Sequence, residues 1–176
     1  MNRIQHVRVK IFARESVDLG AAIPVFHRWI QERVCPEMLI DVADYRHVPN
    51  GPGVVLMGHE ASYSLDLTKG RLGLLYNRRR EGGDAQGNLK QAYAAAVAAC
   101  QRLETDPAFN GKLKFNTEEC ELSINDRLLA PNTDETYRSL KPELDRFFGG
   151  IWKTYSIERT GEPRELFSVG VKAKNA

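Results

Sequence analysis

Signatures of catalysis and cofactor binding are scarce in this chain. Cysteine occurs three times, at Cys35, Cys100 and Cys120, with no CxxC pair. An odd, widely spaced set excludes a disulfide framework and a cysteine-rich zinc site, and reads as reduced thiols. No phosphate loop is present: Asn50-Gly51-Pro52-Gly53 lacks the GxGxxG spacing, and its prolines remove N–H groups that a phosphate would use. There is no Gly-x-Ser-x-Gly elbow and no Asp-x-Asp calcium loop. Long apolar runs are also missing. The longest, Ala92 to Cys100, has nine residues and is mostly alanine, against the roughly 20 that a membrane span requires. Without a secretory pattern, the expected location is the cytoplasm. Charge of one sign is lacking too. With 25 basic and 23 acidic residues the balance is +2, which gives no bulk electrostatic case for nucleic acid.

What is present is an alternation of strand and helix patterns. From Ile4 to Phe12 the set Val7, Val9, Ile11 alternates with His6, Arg8, Lys10, so the β-branched set marks the core face of a strand. Asp18 offers a cap, and Leu19, Ile23, Phe26, Ile30 and Val34 recur at helical spacing. Pro24 fits the first turn of that helix and Pro36 ends it. Leu39 to Val48 reads as a strand, Pro49 to Gly53 as a turn, Val54 to Asp66 as one returning strand, and Arg71 to Arg78 as a third. Glu81-Gly82-Gly83-Asp84 is the clearest internal break. An alanine-rich helix follows over 88–103, then short strands at 113–115 and 120–124. A helix capped by Asn132 or Thr133 comes next, broken or kinked at Pro142, and a terminal hairpin closes the chain.

Hairpins joined through helices favour a largely antiparallel sheet with helices packed on one face. The expectation is therefore a single α+β domain, 1–176, built from strand-helix-strand-strand units with a pseudo-repeat boundary near 81–84. This element order resembles that of ferredoxin-like pairs and of the duplicated ligand-binding domains related to gyrase inhibitors. The resemblance implies a duplicated arrangement and assigns no residue.

The segment 39–80 carries most of the chemistry-bearing residues. If Val48 faces Val54 and Leu65 faces Leu72, then Asp41, His59 and Arg78 form one row across three strands, with Tyr45 diagonal to His59. A carboxylate beside an imidazole fixes its tautomer and raises its pKa. Asp41, Tyr45, His59 and Arg78 are thus the candidate ligand-binding set, with His59 oriented by Asp41 as a weaker acid–base candidate. His47 falls four residues along the strand from His59, roughly 13 Å away, so the two cannot share a metal. His27 reads as packing against the sheet. The Arg78-Arg79-Arg80 run reads as a solvated strand end or an anion site. The expectation is a binding module for a small polar or anionic molecule on the sheet face. Alternatives are a homo-oligomeric or partner-binding protein, and an enzyme using a histidine acid or base. No metal, cofactor, nucleic acid or membrane is expected.

Overall fold

A computed structural model describes residues 4–174. Eight strands form one antiparallel sheet: β1 Val7–Ala13, β2 Leu39–Tyr45, β3 Gly53–Gly58, β4 Ala61–Asp66, β5 Gly73–Arg78, β6 Phe115–Ile124, β7 Tyr155–Thr160 and β8 Phe167–Ala173. Their order across the sheet is β2-β3-β4-β5-β1-β6-β8-β7, so β1 is an interior strand and β2 and β7 are the edges. Three α-helices, α1 Ala22–Glu32, α2 Ala85–Thr105 and α3 Asp134–Gly149, pack on one face. The α+β antiparallel class is as expected. The near-repeat of strand-helix-strand-strand units is not: four strands, β2 to β5, follow α1 without interruption, and one strand, β6, separates α2 from α3.

Local chemistry sets the helix boundaries. The Asp18 carboxylate accepts from the Gly20 amide at 2.9 Å at the start of a short 3₁₀ turn that leads into α1, and Arg33 ends α1 in the left-handed region. Asp84 caps α2 through the Gly87 amide at 2.9 Å, and Thr133 caps α3 through the Thr136 amide at 3.2 Å. Pro142 does not break α3, which runs through it. Its ring lies on the exposed side, while Leu140, Leu144, Phe147 and Phe148 bury the opposite stripe. That burial outweighs one missing backbone bond.

The core lies between the helices and one face of the sheet. Val7, Val9 and Ile11 of β1 meet Leu74 and Tyr76 of β5, Cys120, Leu122 and Ile124 of β6, and the stripe Leu89, Ala92, Ala96, Cys100 and Leu103 of α2. Small alanines on α2 let the helix approach the sheet closely. Phe147, Phe148, Trp152 and Tyr155 pack at the β7–β8 end. Gly53 is needed for geometry: its φ is +65°, and a Cβ there would lie 2.0 Å from the Leu65 carbonyl oxygen.

The other face carries no helix, yet it is not simply solvated. Lys10 and Asp66 are 5% and 1% exposed and joined by an ion pair of 2.6 Å. Asp66 also accepts from the Thr68 amide at 3.1 Å and the Thr68 hydroxyl at 2.6 Å. Lys10 reaches Asp66 by crossing β5 where that strand has Gly73; a Cβ at Gly73 would lie 2.9 Å from Lys10 Cε. Removing one partner of a buried pair leaves an uncompensated charge, at a cost of about 3–5 kcal/mol. Lys10→Met is therefore expected to lose about that much stability in urea denaturation, and Lys10→Met/Asp66→Asn clearly less than the sum of the two single losses. Losses additive within about 0.5 kcal/mol would show that the pair is not coupled.

Candidate functional site

The structure separates the four residues expected to share a site. Asp41 and Tyr45 are exposed on the open face of β2. His59 is exposed in the tight turn between β3 and β4, where its amide donates to the Met38 carbonyl at 2.8 Å, three residues along β2 from Asp41. Arg78 points to the opposite, helix-bearing face and is 7% exposed. Both assumed registers are corrected. Asp41 faces Met57, because Arg46 and His47 leave the strand; the Arg46 side chain folds back onto Asp44 with contacts of 2.9 and 2.7 Å. Arg78 faces Ala61, because the 3₁₀ turn at Thr68–Gly70 pairs Leu65 with Leu74 rather than Leu72, and His59 is off the strand because 54–66 is two strands with a turn at His59-Glu60. His47 and His59 lie at opposite ends of β3. His27 is exposed rather than packed on the sheet.

Arg78 lines a cavity of about 280 Å³ at the rim of the core, with Glu37, Glu60, Tyr76 and Gln91. Its guanidinium donates to the Arg80 carbonyl, and Arg79 donates to the Gly58 carbonyl. The arginine run therefore partly tethers the β3–β4 turn. Nearby, the Tyr63 hydroxyl donates to Glu37 at 2.5 Å, and burial together with that carboxylate pushes Tyr63 well above the usual phenol range.

A larger cleft, about 590 Å³, opens on the helix-free face. Its floor is set by strand register. One row of side chains crosses all eight strands: Asp41, Met57, Ser62, Asn77, Arg8, Ser123, Ser168 and Thr160. The next row brings Leu75, Lys10 and Glu121 side by side, followed by Gly170 and Glu158. Walls come from both ends of the sheet. Thr68 and Lys69 follow β4, Asn125 and Arg127 follow β6, and Arg164, Glu165 and Leu166 belong to the β7–β8 turn. The turn is held firmly: Asn132 donates to the Thr160 and Glu162 carbonyls at 2.9 and 3.0 Å, and Arg127 donates to the Arg164 carbonyl at 2.9 Å. Lys69 and Glu165 meet at 3.7 Å and join the two walls.

Cationic side chains predominate in the lining: Arg8, Lys10, Lys69, Arg127 and Arg164 against Asp66, Glu121 and Glu165. Lys10 is neutralised by Asp66 and Lys69 by Glu165. Arg8 is different. Among the described residues, the buried side-chain atoms with no hydrogen-bond partner in the protein are Arg8 Nε, Asn77 Oδ1 and Thr160 Oγ1, and all three belong to the one row. Burial lowers the Arg8 pKa from its ordinary value, opposed by the charges of Asp66 and then Glu121.

Among the described residues, no histidine or cysteine lines the cleft. Burial raises the thiol pKa of Cys35, Cys100 and Cys120, the reverse of what an activated nucleophile requires. Among the described residues no group of three or more His, Cys, Asp or Glu is placed to hold a metal, and no helix is long and apolar enough to cross a membrane. The sequence reading placed Arg8 and Lys10 on the polar side of the first strand and missed the cleft. The available signal was two cations at alternate positions of a strand whose other face is β-branched, with Glu119, Glu121 and Ser123 alternating in the same way against Cys120, Leu122 and Ile124. A comparison with models of known protein families found no match, and a comparison with curated proteins found none either.

A buried guanidinium Nε–H with no hydrogen-bond partner adds little to the fold. Arg8→Met, which keeps the aliphatic length, is therefore expected to leave urea stability unchanged or raise it by about 1 kcal/mol. A loss above about 2 kcal/mol would mean that Arg8 is a structural ion-pair partner of Asp66 and Glu121.

Proposed function

We propose that this protein binds a small anionic molecule in the cleft on the helix-free sheet face, with Arg8 as its anchoring cation. The observation that carries the reading is the buried Arg8 Nε with no partner in the protein, at the floor of a cleft with an excess of positive charge. A buried donor left unmatched costs about 1–3 kcal/mol, so it marks a position where a further group is expected. The guanidinium fork suits carboxylate and phosphate oxygens in particular. Arg127 and Arg164 add charge at the rim. The proposed ligand keeps the small polar or anionic class expected from the sequence. The position moves: of the span 39–80, the residues in the cleft are Asp66, Thr68, Lys69 and Leu75.

Inorganic phosphate added at constant ionic strength should raise the melting temperature of the wild-type protein and leave Arg8→Met unmoved. Saturation at 100 times Kd corresponds to about 2.7 kcal/mol. An equal rise in both proteins, or none in either, would contradict the reading.

A second reading, self-association through β2, is favoured by a separate observation. Met38, Ile40, Tyr45, Val48 and Met57 are all exposed, and all lie on or beside this edge strand, at 65% for Met38 and 57% for Ile40. Edge strands offer unpaired backbone groups. Two copies of β2 paired antiparallel about Val42 set Asp41 against Ala43 and Asp44 against Ile40, so no carboxylate meets another. Sedimentation velocity should show a concentration-dependent dimer that Ile40→Lys abolishes. A monomer throughout would remove this reading and leave the cleft untouched.

A further inference from the structure

The acceptors in the cleft carry the argument from an anion to a chemical class. Glu121 stands beside Lys10 on the floor, one row from Arg8, and its charge is felt by Arg8. Lys10 is already held by Asp66 at 2.6 Å. An anion seated on Arg8 therefore lies near a second carboxylate and is repelled by it, unless the same molecule turns a hydrogen-bond donor toward Glu121. A fully ionised phosphate or carboxylate cannot donate to the Glu121 carboxylate, whereas a hydroxyl can, and further hydroxyl partners lie along the Arg8 row. Ser123 and Ser168 continue the row with hydroxyls that are 7% and 6% exposed. The apolar side chains of the lining are Leu75 and Leu166, with no aromatic ring on which a nucleobase could stack.

Resting on the anion-binding reading, we infer that the ligand is a polyhydroxylated anion, a sugar phosphate or sugar acid. Its acid group sits on Arg8, and its hydroxyls donate to Glu121 and exchange hydrogen bonds with Ser123. A volume of about 590 Å³ falls within the usual range for small-molecule sites and admits a molecule of this size.

Isothermal titration of the full chain with glucose 6-phosphate, gluconate, inorganic phosphate, glucose and AMP tests this. Glucose 6-phosphate or gluconate should bind at least about tenfold more tightly than inorganic phosphate, with AMP no tighter than phosphate and glucose weakest. Whichever of the first two binds more tightly assigns the acid group as phosphate or carboxylate. Ser123→Ala should cut the advantage of the tighter probe about fivefold and leave inorganic phosphate unchanged. Phosphate binding as tightly as both polyol probes would overturn the class and leave the anion reading standing. AMP binding more tightly than both would also overturn the class. No heat from any anion would overturn the anion reading itself, and the class with it. A Ser123→Ala loss shared equally by phosphate and the polyol would remove Ser123 from hydroxyl recognition and contradict the assignment.

Discussion

The buried pair of Lys10 and Asp66 is the constraint on which the helix-free face depends. It places two charges inside a sheet face that no helix covers, and it ties β1 to the end of β4 across the intervening β5. Such a crossing is possible because β5 has no side chain at Gly73. A buried ion pair is weak evidence for net stability, since desolvation offsets most of the attraction. Its effect here is organisational. By holding Asp66 at one end of the cleft, the pair keeps that carboxylate occupied with Lys10 and Thr68 and leaves the guanidinium of Arg8, two residues earlier on β1, without a hydrogen-bonded counterion.

The two faces of the sheet follow different rules. On the helix side, β-branched and aromatic residues close-pack against α1, α2 and α3, and that face alone accounts for the core. On the other side, five interior strands present polar side chains in register, and the surrounding turns lean over them. Burial there arises from walls rather than from a covering layer, so Arg8 is partly desolvated at the floor of an open cleft. A polar floor of this kind gives up packing energy that leucines could have supplied. Within a single sheet, one face holds the core and the other holds the cleft proposed as the binding site.

The core face was legible in the sequence because it is written in periodicity. Val7, Val9 and Ile11 alternate, and on α2 the apolar spacing marks Leu89, Cys100 and Leu103 as buried, with Tyr93 and Val97 half-buried beside the alanines that face the sheet. The expected caps Asp18 and Thr133 lie at 3₁₀ and helix starts because such starts leave amides unpaired, whereas Asp84, read as part of a break, caps α2, which begins three residues earlier than the expected start. The candidate site was not legible, because it depends on register and strand order. A tight turn at His59-Glu60 divides one expected strand into two, and the longer β2–β3 connection shifts the pairing by four residues. The turn takes His59 off the strand and out of the row, and the shift moves Tyr45 away from it. Arg8 and Lys10 look like a solvated strand face until β1 is known to be flanked by β5 and β6. No local pattern encodes that position.

The most direct test of the account is the Nε–H resonance of Arg8 in a ¹⁵N-labelled sample, assigned with Arg8→Met and followed as phosphate is added. A resonance that moves, and whose exchange with solvent slows as phosphate saturates, would place the anion on Arg8, which is the expected result. A resonance that stays fixed while phosphate saturates the protein, or one already protected and bonded in its absence, would contradict it.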